Sequence, residues 1–246
     1  HGVLIQNCSV SWSIDEALQI WGENSHDIAI RDSIFAEALD RSIHPKGAHS
    51  MGPIIGPNTR NIVVQRNLMA HNRARNPVVH GGAEAIVANN LIYDPGFAGV
   101  HFYNWPANPK PTLAAVIGNV VIAGPSTSRR LVAFDHGLNP GSKIFYHDNL
   151  ARGTEAFVSN EKLGRGVGAG SLAPFVGEPP LSLAAAGQII PATGVEAAIL
   201  SQVGARPKDR DATDARLIAE VKSRGGGVRD WPADPRLDPR SPEAAR

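Results

Sequence analysis

One short pattern recurs six times and constrains this chain more than any other feature of it. About three apolar residues are followed by two variable residues, a small polar residue and then, in most instances, an apolar pair. The instances are Val3-Leu4-Ile5-Gln6-Asn7-Cys8, Ile28-Ala29-Ile30-Arg31-Asp32-Ser33, Ile62-Val63-Val64-Gln65-Arg66-Asn67, Ala85-Ile86-Val87-Ala88-Asn89-Asn90, Ala114-Ala115-Val116-Ile117-Gly118-Asn119 and Ile144-Phe145-Tyr146-His147-Asp148-Asn149. The final position, read down the alignment, is Cys8, Ser33, Asn67, Asn90, Asn119, Asn149, at spacings of 25, 34, 23, 29 and 30 residues. Three positions earlier stands a large apolar residue every time: Ile5, Ile30, Val64, Val87, Val116, Tyr146.

A short strand, a tight corner and a second short strand at a nearly constant period describe one coil of a solenoid. No coil can bury its apolar face alone, so coils must stack. Asparagine suits the corner because it tolerates the left-handed conformation. Stacked amides can also bond to one another up the pile, as in the ladders of cross-β structures. The fold expected is all-β, a right-handed single-stranded parallel β-helix, over residues 1–155. A β-sandwich would not require one residue type at one corner four times running.

Composition fits a solenoid built from aliphatics and turns. Of 246 residues, 42% are apolar and only 6% aromatic, and Gly (25) and Pro (19) exceed their usual share. The net charge of +1 provides no bulk field for nucleic acid or an anionic membrane. One cysteine, Cys8, excludes an intrachain disulfide framework and is expected to be a small buried residue. The chain begins at His1 and runs directly into apparent strand, so it reads as a piece of a longer protein. The repeat ends near 155. Residues 156–230 are expected to form loops and one or two short helices packed on the solenoid. The stretch from Gly164 to Gly187 reads as loop, Gly194–Leu200 as a short helix, and 211–222 as a better one. In the latter Leu217, Ile218 and Val221 share a face, and Gly225-Gly226-Gly227 is the expected stop. The Pro-punctuated tail, 231–246, is expected to be disordered.

Polar residues gather between the repeat units, in three segments. In the first, Ser11–Trp21, a strand would point Asp15, Ala17 and Gln19 to one side. Asp15 and Gln19 would then offer oxygens to a hard cation such as calcium, although a lone acid beside a turn equally reads as solvated. The second, Glu37–Gly52, mixes Glu37, Asp40, Lys46, His44 and His49 in the longest interval. His44 and His49 have no third ligand nearby in sequence, which argues against zinc. The third, His71–Pro77, carries Arg73 and Arg75, which from spacing alone read as two exposed arginines after a strand. There is no nucleophile elbow, phosphate-binding loop or dinucleotide fingerprint, and no close acid pair of the glycosidase kind. Arginines, a lysine and one or two carboxylates suit an anionic substrate bridged by a metal.

These segments, in this order, resemble bacterial pectate lyases of polysaccharide lyase family 1. Asp15 to Ile20 is similar to that family's calcium-binding His-Asp-Gly-x-x-Asp-Ile strand, His44-Pro45-Lys46 to its His-Asp-Lys, and Arg75-Asn76-Pro77 to the start of its Arg-x-Pro-x-x-Arg. Val203–Ala212 is similar to the end of many such lyases. The resemblance implies β-elimination on polygalacturonate, with Arg75 as catalytic base, Lys46, Arg73 and His80 on the substrate, and Asp15 and Gln19 on Ca2+. It also implies a secreted protein, and a monomer is expected. Departures stand at Gln6-Asn7 for the family's Asp-His, at Gln19 for its second aspartate, and at His80 for its second arginine. They keep two alternatives open: a β-helix that binds polysaccharide without cleaving it, and another β-helix carbohydrate enzyme of polygalacturonase or alginate lyase type.

Overall fold

The computed structural model describes residues 1–103, 110–128, 132–136, 138–153 and 175–230. Among these, strands of successive coils stack into three sheets, and every pairing is parallel. The first sheet contains Val3–Gln6, His26–Arg31, Arg60–Gln65, Glu84–Ala88, Leu113–Ile117, Lys143–His147 and Phe175–Val176 in that order. The second contains Ser9–Ser11, Ile34–Ala36, Leu68–Ala70, Leu91–Tyr93, Val120–Ile122 and Leu150–Arg152. The third contains Gln19–Ile20, Ile54–Ile55, Val78–His80, Ala98–Tyr103 and Val132–His136. This is the parallel β-helix expected from the repeat. Parallel crossovers are right-handed in about 98% of proteins, the physical basis of the expected hand. The tail at 231–246 and much of the loop from Gly164 fall outside the described residues.

The asparagine column is real and continuous. Asn67 Nδ2 donates to Asn90 Oδ1 (3.0 Å), Asn90 Nδ2 to Asn119 Oδ1 (2.9 Å) and Asn119 Nδ2 to Asn149 Oδ1 (2.9 Å). Ser33 and Cys8 extend it with backbone bonds, Ser33 N–H to Asn67 Oδ1 and Cys8 N–H to Ser33 Oγ. Cys8 itself is half-buried rather than buried. The reason given for asparagine needs correction. The left-handed residue is the one before the ladder: Asn7, Asp32, Arg66, Asn89, Gly118 and Asp148 have φ between 48° and 64°. The ladder asparagines serve through their amides, each of which bonds both a neighbouring amide and a backbone group. Gly118 is glycine for a further reason: a Cβ there would lie 2.4 Å from Asn89 Nδ2, which reaches across to the Gly118 carbonyl.

Asn90 is fully buried and makes four bonds through its side chain, accepting from Asn67 N–H and Nδ2 and donating to Val64 O and Asn119 Oδ1. Asn90→Leu is therefore expected to lower stability by about 3 kcal/mol, the upper end of the cost of leaving buried polar groups unpaired. Urea unfolding followed by far-ultraviolet circular dichroism measures it; a loss near zero would show that the ladder is not a stabilising element.

The second sheet explains where the C-terminal segment goes. Its strands point one residue inward: Phe35, Met69, Ile92 and Val121 join the solenoid core with Ile30, Val64, Val87 and Val116 of the first sheet. The flanking residues point outward and are apolar too: Ile34, Ala36, Leu68, Ala70, Leu91, Tyr93, Val120 and Ile122. A sheet apolar on both faces must be covered. Helices α1 (Ala192–Gln202) and α2 (Ala212–Ser223) cover it with Val195, Ile199, Leu217, Ile218 and Val221. Asp211 caps α2 by accepting the Asp214 N–H. The helix ends at Arg224, which takes the left-handed conformation itself, one residue before the glycines expected to stop it. Among the described residues no helix is long and apolar enough to cross a membrane.

Candidate functional site

In the first three coils the connections from the second sheet to the third are the longest, and they carry the polar residues. The first four leave their strands through a left-handed residue: Trp12, Glu37, His71 and Asp94 have φ between 50° and 64°. Three successive connections are then held side by side by isolated parallel bridges, Glu16 to Met51 and Met51 to Ala74. Backbone bonds Ala17 N–H to Met51 O (2.9 Å) and Gly52 N–H to Ala74 O (2.9 Å) fix that register. Glu16 and Met51, and Met51 and Ala74, are thereby brought to one coil spacing, about 4.8 Å, and the first and third connections to two.

The result is a compact cluster. Asp15 turns one carboxylate oxygen toward His44 Nε2 (3.3 Å) and the other toward His49 Nε2 (2.9 Å). The two imidazoles are stacked, 4.2 Å between centroids and 4° from parallel. Arg75 Nη1 approaches to 3.9 Å from Asp15 Oδ1 and forms an ion pair with Glu16. Burial lowers the Arg75 pKa below its ordinary value, with the Asp15 charge opposing. Burial likewise lowers that of His49; Asp15 opposes this, and His44 and Lys46 add to it. Lys46 is exposed at the tip of the same loop, its backbone N–H donating to His44 Nδ1 (3.2 Å). Arg73, half-exposed, pairs with Asp40 at 3.2 Å. Asp15, Lys46, Arg73 and Arg75 thus share one corner of the solenoid.

Two expected site residues lie elsewhere, and one premise fails. The strand that would place Asp15, Ala17 and Gln19 on one side does not form. The chain bends at Asp15, and Ala17 turns into the core cluster while Gln19 stays exposed on the edge strand Gln19–Ile20. Gln19 makes no side-chain bond with Asp15 among the described residues, and it is not a partner of that carboxylate. His80 is 2% exposed, packed edge-on against Trp21 at 5.6 Å and Tyr103 at 5.7 Å, so it cannot meet a polymer directly. It supports two rings that are open to solvent, Trp21 (42% exposed) and Tyr103 (45%). The Trp21 ring lies over Gly56, where a Cβ would fall 2.9 Å from it.

Further expectations are corrected. Glu37, first residue of the polar segment that includes His44, is fully buried and takes no part in the cluster. It is bonded by Arg216 (2.7 Å at both oxygens), by Arg229 and by Trp12 Nε1 (3.0 Å), and so anchors α2. Gln6 bonds Asp32, and Asn7 reaches the Gly204 carbonyl; both belong to the first sheet's corner, where the C-terminal segment is tied down. The objection to a histidine metal site also falls, because Asp15 supplies the missing third group. Glu16, the partner of Arg75, escaped sequence reasoning; its only signal was an acid adjacent to Asp15.

Calcium, which the resemblance implies, takes six to eight oxygen ligands. The donors gathered at Asp15 are two imidazoles, while Glu16 is committed to Arg75 and Asp40 to Arg73. These residues do not fit calcium.

The fold and this corner define a class: a parallel β-helix carrying on its side a cluster of paired arginines and acids with one acid–histidine group. Three curated fungal proteins are similar to the chain, each described as "Probable pectate lyase C". That of Aspergillus fumigatus (strain CBS 144.89 / FGSC A1163 / CEA10) is 30% identical over 236 residues, 92% of this chain and 50% of that protein. That of Aspergillus terreus (strain NIH 2624 / FGSC A1156) is 31% identical over 235 residues, 91% and 49%. That of Neosartorya fischeri is 30% identical over 231 residues, 91% and 49%. The chain is thus similar to these probable pectate lyases along nine-tenths of its length, and it spans about half the length of these relatives. They are fungal, whereas the motifs resemble bacterial members. No protein-family model matches the chain.

Proposed function

We propose that this chain carries the site of a secreted polysaccharide lyase that cleaves polygalacturonate, or a closely related acidic polysaccharide, by β-elimination. The observation that carries the reading is Arg75: a partly buried guanidinium against Asp15, on the same side of the coils as the loop of Lys46, in a β-helix similar to probable pectate lyases. The base takes the proton on C5 of the uronate. The electron pair of the broken C5–H bond forms the C4–C5 double bond, and the C4–oxygen bond breaks, releasing the glycosidic oxygen to be protonated. Charge developing on the uronate carboxylate is stabilised by the Lys46 ammonium and the Arg73 guanidinium. An arginine serves as base only when neutral, and desolvation favours that form. Trp21 and Tyr103 offer exposed flat apolar faces against which sugar rings can be buried.

The Arg75–Glu16 ion pair favours a second reading, binding without cleavage, because a paired guanidinium is held in its charged form. The two separate in one experiment. The protein is incubated with polygalacturonate and with alginate while the ultraviolet absorbance of an unsaturated uronide is followed. Absorbance growing on polygalacturonate alone is expected. Binding with no absorbance supports the second reading, and reducing ends released without absorbance would make the protein a hydrolase.

A further inference from the structure

We infer that Asp15, His44 and His49 form a binding site for a first-row divalent transition metal of the zinc type, and that this corner of the solenoid is not a calcium site. Two imidazole nitrogens and one carboxylate are a donor set of borderline softness, suited to zinc and its neighbours and unlike the all-oxygen set of calcium. The spacing suits it as well. Zinc–ligand bonds of about 2.0–2.1 Å in a tetrahedron place neighbouring ligand atoms roughly 3.4 Å apart. Here Asp15 lies 3.3 Å from His44 Nε2 and 2.9 Å from His49 Nε2, and all three ligand atoms fall within 4.8 Å of one another.

A second observation points to a ligand rather than to an ordinary hydrogen-bonded pair. His49 is 7% exposed, and its Nε2 makes no hydrogen bond although Asp15 Oδ1 stands 2.9 Å away. Asp15 Oδ1 is itself buried and without a hydrogen bond. Two buried polar atoms in close contact but misaligned for a hydrogen bond are poorly compensated, and a cation bound by both removes that cost. Both Nε2 atoms stand against the same carboxylate, and because the rings are stacked and nearly parallel, joint ligation requires the His44 ring, on the exposed loop, to turn so that both ring planes meet at the ion.

Loading has a structural consequence. His44 Nδ1 accepts the Lys46 backbone N–H, so the neutral ring carries its proton on Nε2, toward Asp15. A metal at Nε2 displaces that proton, and the ring must then protonate at Nδ1, which breaks the bond to Lys46. The exposed turn Pro45-Lys46-Gly47, with Gly47 at φ 78°, has the freedom to yield. Metal occupancy would therefore move Lys46, the residue proposed to meet the substrate carboxylate.

The test uses chelator-stripped protein, titrated separately with zinc chloride and calcium chloride by calorimetry and with cobalt chloride by visible absorption. One zinc per chain is expected, bound at least about 100-fold more tightly than calcium, with a cobalt spectrum of low coordination number. His49→Gln and Asp15→Asn should each weaken zinc by roughly 100-fold. His44→Gln, at a partly exposed position on the loop, gives the same reading should the buried substitution prevent folding. Calcium binding as tightly as zinc, or zinc binding unchanged in both His44→Gln and His49→Gln, would overturn the proposal. The metal titration and the lyase assay have independent readouts: a failed zinc titration leaves the elimination chemistry of Arg75 standing, and absence of unsaturated product leaves the metal site standing.

Discussion

Glu37→Ala is expected to cost about 3 kcal/mol, the upper end for hydrogen bonds to a charged group, because the arginines left behind are part-exposed and stay solvated. Glu37 is fully buried at the left-handed corner after the second sheet and holds Arg216, Arg229 and Trp12 together. Removing the carboxylate leaves the guanidiniums of Arg216 and Arg229 beside an apolar void, and α2 loses its tie to the solenoid. Arg216→Ala should cost less than Glu37→Ala, because Arg229 and Trp12 still bond the Glu37 carboxylate when Arg216 is gone. Urea unfolding by circular dichroism reads both. A Glu37→Ala protein as stable as the parent would mean that the apolar face of α2 suffices to hold it.

The same residue makes stability acid-sensitive. Burial alone would raise the Glu37 pKa, but hydrogen bonds from Arg216, Arg229 and Trp12 outweigh it and hold the carboxyl below its ordinary range. A carboxyl depressed in the folded state contributes stability above its unfolded pKa. That contribution is lost as pH falls through the folded value. The parent should lose stability in acid more steeply than Glu37→Gln, whose side chain does not titrate.

Arg75→Lys is expected to lower turnover on polygalacturonate by about 10²–10⁴-fold, the usual worth of a positioned general base, while polymer binding changes little. Lysine keeps a cation beside Asp15 and Glu16 but cannot place a base at the guanidinium's position. Arg73→Lys should lose far less, because Arg73 is half-exposed and held by Asp40. Lys46→Ala should weaken binding and turnover together, since its charge acts on the substrate carboxylate throughout. The parent's rate should rise with pH as the neutral base becomes populated. Near-normal turnover in Arg75→Lys would place the base elsewhere, and initial rates with polymer binding measured in parallel decide it.

Much of the scaffold was legible before any coordinates. The column Cys8, Ser33, Asn67, Asn90, Asn119, Asn149 identifies the corner, and Ile5, Ile30, Val64, Val87, Val116 face inward, because a stacked coil forces residues of the same type into the same place. The face that the helices cover was half visible: Leu217, Ile218 and Val221 announced an apolar stripe, but the outward residues of three-residue strands give too short a run to betray a sheet apolar on both sides. Glu37 looked like part of a polar loop because nothing local distinguishes a buried, paired acid from a solvated one.

The site divides along the same line. Sequence by itself determined the repeat, the order of the polar segments along it, and the candidacy of Asp15, Lys46, Arg73 and Arg75, because motif order and corner spacing are local properties of the chain. Tertiary structure alone decided which of these meet. The connections differ in length from coil to coil, so no fixed spacing joins Asp15 to His44 and His49, or Glu16 to Arg75. Only the bridges through Glu16, Met51 and Ala74 set those connections in register. His80 was assigned to the surface and lies beneath Trp21 and Tyr103, because a glycine two coils below Tyr103 lets an indole fold over it, a consequence of stacking that no single coil contains.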